Sequence, residues 1–344
     1  MISLWDRVRE LPLEVEGYRL HGLELKTNSG YRRLTSEICL AGAGHEGRGE
    51  EVLWDGALQE ALRERGGYLD LAGEFSMQTF SERLDGLELS PDPPPILDWL
   101  PYRRWAFESA ALDLALRQSG ISLEEALGRE SHALTFVLSL GPQRIEDLEE
   151  RRAIHGDLRF KLDATPDWSP EFCAQLARTA AVEVVDFKGA YKGTSVDVEP
   201  DLGLYQRVLD AMPEVICEDP HDREDILQLL EERGAKVAWD APVHDIADLQ
   251  KLPAKSAALN IKPSRFGSLA RLSVAYAQCE AQGLPMYGGG QFELGHGRKQ
   301  IQRLASIFHP KAANDVAPRG YHQLDTDEER PASPLPKGSA GVGF

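Results

Sequence analysis

VEVVDFK (residues 182–188) and VICEDP (215–220), with LYQRVLDAM (204–212) between them, read as strand, helix, strand. Both strands are rich in β-branched residues, and both end on charged ones. Working outward, the rhythm repeats on either side. Upstream lie ALTFVLSL (133–140) and LRFKLD (158–163); downstream lie KVAWDAP (236–242), AALNIKP (257–263), LPMYGGG (284–290) and a weaker run, KAANDVAP (311–318). Helical stretches such as PEFCAQLARTA, REDILQLLEERG and LARLSVAYAQCEAQG separate them. Repeated strand-then-helix units predict a parallel sheet, and seven or eight of them favour a closed barrel over an open sheet.

The first part of the chain has no such rhythm. GLELKTNSGYRRLTSEICL (22–40) alternates apolar and polar residues around Asn28-Ser29-Gly30, which predicts a β-hairpin. A helix over WDGALQEALRER follows, then the proline-rich SPDPPPILDWLP (90–101). YRRWAFESAALDLALRQSG (102–120) carries Phe107, Ala110, Ala111, Leu114 and Ala115 on one stripe and stops at Gly120. The expected organisation is an α+β domain over 1–130, an α/β barrel over 131–324, and a Pro/Gly-rich, partly disordered tail over 325–344. A chain of 344 residues suits this two-domain layout.

Apolar content of 42% and charged content of 27% are those of a globular protein, and the formal charge of −18 argues against nucleic acid and anionic membrane as partners. Cys39, Cys173, Cys217 and Cys279 have no metal-ligand spacing and read as reduced thiols. With no apolar run long enough for a span and no leader-like start, the expected location is the cytoplasm. Self-association into a homo-oligomer is the default expectation.

Barrel chemistry sits at the C-terminal strand ends. Those ends carry Lys161 and Asp163, Asp186 and Lys188, Glu218 and Asp219, Asp240, and Lys262. Asp186, Glu218 and Asp240 lie one unit apart in turn and would repel across a small mouth, which a hard divalent cation resolves. Oxygen-only ligands favour Mg²⁺. A salt-bridge lattice of the same acids with the lysines is the structural alternative.

FKLD, VVDFKG, ICEDP, AWDAP and LNIKPSRFGSL resemble, in order, the strand-end motifs of the enolase superfamily, in its muconate-lactonizing and o-succinylbenzoate-synthase-like subgroup. The helix FESAALDLALRQSGISLEEALG and GRGEEV are similar too. The resemblance implies a (β/α)₇β TIM-like barrel with an N-terminal α+β capping domain, Mg²⁺ held by Asp186, Glu218 and Asp240, and acid/base lysines on the second and sixth barrel strands. The shared chemistry is removal of the proton α to a carboxylate through an enediolate, on a small carboxylate substrate.

Two motifs depart from the family. Its second strand carries Lys-x-Lys, where this chain has Lys161-Leu162-Asp163; its third carries Asp-x-Asn, where this chain has Asp186-Phe187-Lys188. The departures look like an exchange, with Lys188 in the vacated base position and its pKa lowered by cationic neighbours. The alternatives are a rim ion pair between Asp163 and Lys188 and a register that makes Arg159-Phe160-Lys161 the motif. Lys262 alone follows the pattern cleanly. One dependable base favours dehydration or cycloisomerisation over racemisation. A Schiff-base aldolase using Lys262, or a non-catalytic metal-binding barrel, are the competing readings.

GGGQFELGHGR (288–298) nominates Gly289, Gly290 and Glu293 for substrate contact. GAGHEG (42–47) matches a dinucleotide fingerprint but leads into acidic sequence, so it reads as a cap hairpin loop able to close as a lid. His296 is a weak candidate base; His221, His244 and His309 are expected at the surface.

Overall fold

The N-terminal residues build two small antiparallel sheets around one long helix. The strands are β1 (Pro12–Val15), β2 (Gly17–Lys26), β3 (Arg32–Gly42), β4 (His45–Glu51) and β5 (Gly73–Ser76); β1 pairs with β5, and β2-β3-β4 form a meander. The predicted hairpin is β2 and β3, paired from Gly17↔Ala41 to Lys26↔Arg32. This computed structural model describes residues 3–27, 30–142, 144–191, 199–322, 327–338 and 341–344, so the turn residues Asn28 and Ser29 lie outside it.

The long helix, Leu100–Ser119, is buried on nearly every side between the meander and the barrel, and ends where Gly120 takes a left-handed conformation (φ 67°). Strand β4 lies directly on its backbone. A Cβ at Gly47 would stand 2.3 Å from the Leu114 nitrogen, and one at Gly49 2.1 Å from the Ala106 oxygen, so only glycine permits the contact. That accounts for these glycines without any phosphate. The 42–45 turn is held to the C-terminal end of this helix by Gln118, whose amide donates to the Gly42 carbonyl at 3.1 Å. Tyr102, near the other end, meets the barrel: its hydroxyl accepts from the Gln291 amide at 3.0 Å.

Seven parallel strands follow in chain order as one sheet: β6 (Leu138–Leu140), β7 (Phe160–Asp163), β8 (Val182–Asp186), β9 (Ile216–Glu218), β10 (Lys236–Trp239), β11 (Ala258–Ile261) and β12 (Met286–Gly288). KAANDVAP closes the ring. The Asp315 N–H donates to the Gly288 carbonyl (2.7 Å), the Val137 N–H donates to the Asn314 carbonyl (2.9 Å), and Asn314 bridges to Phe136 in parallel. Asn and Asp are poor strand formers, which is why this position reads weakly in sequence. The helix Leu269–Gln282 on the outside of the barrel is tied to the cap by Glu108 of the long helix, which accepts the Leu269 N–H at 2.6 Å.

Described residues of the Pro/Gly-rich C-terminal stretch are docked on the rest of the chain. Leu335 exchanges backbone hydrogen bonds with Leu134 at 2.9 and 2.8 Å, Gly343 bonds Ile121 and Leu123, and Phe344 packs edge-on against Trp105.

Candidate active site

Register brings the acids together. Asp163 of β7 pairs with Asp186 of β8, which pairs with Glu218 of β9, so three carboxylates occupy one row on three adjacent strands. Lys161, two residues before Asp163, shares its face, as a period of two requires. Its ammonium donates to Glu218 and lies 3.3 Å from Asp186 Oδ2 and 3.7 Å from Asp315 Oδ2. Burial alone would lower its pKa, but Glu218 and Asp186 overcome that and hold it well above the ordinary lysine range.

Lys188 sits beside this row on a left-handed backbone (φ 54°), a strained choice for a non-glycine residue. The strain lets one residue grip Asp186 twice: its N–H donates to Oδ1 at 3.0 Å and its ammonium to Oδ2 at 2.5 Å. The same ammonium is 3.1 Å from Asp163 Oδ1. The expectation of a lowered Lys188 pKa is not met. Burial works in that direction, but Asp186 and Asp163 outweigh it and raise the pKa well above the ordinary value. In this geometry Lys188 is a held cation.

A second wall, next along the sheet, is built on Asp240, just past β10. Lys262, just past β11, donates to its Oδ2 at 2.7 Å; Arg265 donates to Oδ1 at 2.5 Å; the Tyr191 hydroxyl reaches Oδ2 at 3.1 Å. Against burial, Arg265 and Lys262 pull the Asp240 carboxyl far below its usual range. A Cβ at Gly289 would lie 2.9 Å from Lys262 Cε and 2.4 Å from Asn260 Oδ1, so this glycine makes room for the lysine. Glu293 turns away from the mouth: both its oxygens accept the Gln291 N–H (3.0 and 3.1 Å), and it lies beside Glu50 of the cap under Gly290 and Gly297.

Among the described residues, the carboxylates that converge within 4.8 Å are Asp186, Glu218 and Asp219. Asp219 was not among the expected ligands. Its left-handed backbone (φ 44°) turns its carboxylate to accept the Asp240 and Ala241 N–H groups, both at 2.8 Å. Asp240, the expected third ligand, is the neighbour across that bond but faces Lys262 and Arg265. Burial pushes Asp219 up to about 7, helped by Asp240 and Asp186. Burial also pushes Glu218 up to about 8, against the pull of Lys161. The donor set is all hard oxygen, which fits a divalent ion of the Mg²⁺ kind.

Several participants escaped the sequence reading. Arg265 and Asp219 lie inside LNIKPSRFGSL and ICEDP and were within reach of it. Tyr287, whose hydroxyl donates to Glu218, and Asp315 on the irregular closing segment carry no local signal. Nor does Gln291, where cap meets barrel: its amide accepts from Trp54 Nε1 and donates to the Tyr102 hydroxyl, both at 3.0 Å, and its carbonyl accepts from Arg33 at 2.7 Å. His309 was expected at the surface but is buried behind Gly288, with Nδ1 2.7 Å from Asn314 Oδ1. His296 bonds the Phe344 carbonyl at 3.1 Å, away from the acidic row.

Two family models, the N-terminal and C-terminal domains of DUF8230, a domain of unknown function, match residues 6–126 and 130–323. The chain is similar to an N-succinylamino acid racemase of Thermus thermophilus, 27% identical over 98% of this chain and 92% of that one. It is similar to an o-succinylbenzoate synthase of Geobacillus stearothermophilus, 26% identical over 63% of this chain and 59% of the synthase. In fold it matches a muconate cycloisomerase from Pseudomonas fluorescens, with a TM-score of 0.70 and 18% identity over 96% of this chain and 95% of that one. No helix among the described residues is long and apolar enough to cross a membrane.

Proposed function

The chain belongs to the DUF8230 family and is an enzyme of the enolase superfamily, in its muconate-lactonizing and o-succinylbenzoate-synthase-like branch; from that premise we propose that it removes the proton α to the carboxylate of a small substrate. The observation that carries this reading is Lys262, almost buried and 2.7 Å from Asp240, at the end of β11, two strands along the sheet from the β9 that carries Glu218. Asp186, Glu218 and either Asp240 or its neighbour Asp219 would hold a Mg²⁺ ion, which when bound would supply the positive charge that makes so weak a carbon acid removable.

The chain's own groups do the rest. Lys262 takes the proton as the C–H bond breaks, and the electron pair moves into the carboxylate as an enediolate. Lys161, pinned between Glu218 and Asp186, offsets part of the growing negative charge without moving. In dehydration, a β-hydroxyl then leaves as water, carrying the proton back from Lys262; in cycloisomerisation, a second carboxylate of the substrate adds to the β-carbon of its own C=C bond, whose electron pair moves into the enediolate, and Lys262 delivers its proton to the α-carbon. Gly289 and Gly290 let loop backbone approach the substrate, while Trp54 and Gln291 help keep water out.

One-face chemistry is the preferred outcome, because Lys188 is a cation held by two carboxylates. Epimerisation is the second reading, favoured by Lys188 and Lys262 standing on different walls, with Lys188 delivering a proton to the other face. A panel of carboxylic acids that includes N-succinylamino acids and 2-hydroxy acids, incubated in D₂O with Mg²⁺, tests both. Exchange at the α-carbon with retained optical rotation supports the first reading, and exchange with loss of rotation the second. No exchange on any member counts against α-proton chemistry altogether.

A further inference from the structure

Lys188 is where this chain departs from its relatives' pattern, and its contacts go beyond an ion pair. Its ammonium lies 2.5 Å from Asp186 Oδ2 while its own N–H occupies Oδ1, so both oxygens of that carboxylate are engaged by one residue. Asp186 is also one of the three carboxylates that converge as a metal-ligand set. An ammonium at hydrogen-bond distance from a carboxylate oxygen and a divalent ion on the same oxygen repel each other strongly in a buried site. The second partner, Asp163, is incompletely satisfied. Its Oδ1 is shut off from solvent and receives no hydrogen bond of good geometry, although the Lys188 ammonium is only 3.1 Å away. Lys188 thus directs its protons at Asp186 and leaves an acceptor waiting beside it.

We propose that Lys188 is a built-in rival of the metal: its ammonium holds Asp186 while no divalent ion is bound, and passes to Asp163 when one enters. The inference rests on the reading of Asp186 as a metal ligand. The exchange is charge-balanced, since the incoming ion displaces a cation that is taken up by a carboxylate already within reach. The side chain has room to make the move, being partly exposed where Lys161 is sealed in. Its consequence is that metal loading and the passage of Lys188 from Asp186 to Asp163 are one event. Occupancy by the metal then decides where this cation stands when substrate arrives.

Calorimetric titration with MgCl₂ tests the proposal, using the wild type, Lys188→Met, Asp163→Asn and the double variant, each checked for folding by circular dichroism. Removing the rival should tighten Mg²⁺ binding by about tenfold or more. Asp163→Asn removes the receiving carboxylate and should weaken binding by about tenfold in the wild-type background. In the Lys188→Met background the same change should cost no more than about threefold, because nothing is left to receive. Should Lys188→Met fail to fold, a crystal structure of the wild type soaked in MgCl₂ serves instead: the ammonium should have left Asp186 for Asp163. Equal or weaker Mg²⁺ binding by Lys188→Met, or a bound ion with Lys188 still on Asp186, overturns the proposal and leaves the metal site standing. Absence of Mg²⁺ binding in every protein overturns both.

Discussion

The two walls of the barrel mouth use the same kinds of residue in opposite proportions. On one, a single carboxylate, Asp240, is shared by Lys262, Arg265 and Tyr191. On the other, Lys161 and Lys188 are distributed over Asp163, Asp186, Glu218 and Asp315. The first wall has cations to spare and the second has carboxylates to spare. The difference teaches that lysines at neighbouring strand ends are not equivalent. One divides a lone counter-charge with an arginine, whereas the other is shared between two carboxylates that hold it as a cation.

If that contrast holds, deleting a cation from each wall should cost very different amounts of stability. Lys161→Met leaves Asp186 and Glu218 buried beside each other without their shared ammonium, and should lower unfolding free energy by about 3–5 kcal/mol. Lys262→Met leaves Asp240 with Arg265 and Tyr191, and should cost no more than about 1 kcal/mol. Urea denaturation without added metal measures both, and equal losses would erase the distinction between the walls. Saturating Mg²⁺ should recover much of the Lys161→Met loss, since it binds the folded state alone.

Behind Gly288, where the ring closes between the walls, buried His309 is held down to about 4 by desolvation against its bond to Asn314. Its folded pKa lies below the unfolded value, so its contribution to stability is complete above about pH 6.5 and is lost as pH falls toward 4. The wild type should therefore lose about 3 kcal/mol more than His309→Gln over that window. Taking the difference between the two proteins cancels Glu218, whose raised pKa acts in the opposite sense. Parallel stability curves for the two proteins would remove His309 from the account.

A smaller effect concerns the link between cap and barrel. Gln291 joins Trp54, Tyr102 and Arg33 of the cap to the loop that packs on Lys262. Gln291→Leu should cost about 1–2 kcal/mol, because it strands a buried indole N–H and the guanidinium's surroundings shift. It should leave Mg²⁺ affinity unchanged, since the carboxylate row lies on the other wall. A weakened metal response in Gln291→Leu, followed by melting temperature, would tie the cap contact to the metal site.

Much of this was legible in the sequence because strand ends are periodic. One βα unit separates Asp186, Glu218, Asp240 and Lys262, and a barrel delivers such positions to one rim. The unusual charge on β7 was legible too, since Lys161 and Asp163 on one face demanded an explanation. What stayed hidden depended on backbone conformation and distant packing. The left-handed turns at Lys188 and Asp219 decide which oxygens their side chains meet, and neither residue type advertises such a conformation. Glu293 follows a glycine-rich loop like a ligand but is turned to the cap interface by bonds to its own loop. His309 looked like a surface loop residue because the eighth segment that buries it, through Asn314, has no strand pattern of its own.

The contrast between the walls is tested most directly by α-proton exchange in D₂O, measured on one responsive carboxylate with Mg²⁺ present for the wild type, Lys262→Met and Lys188→Met. The account predicts that Lys262→Met, though folded and metal-binding, loses exchange by about 10³-fold, while Lys188→Met keeps it within about tenfold of the wild type. Exchange that survives in Lys262→Met and disappears in Lys188→Met would contradict it, and would assign the base to the β8 wall.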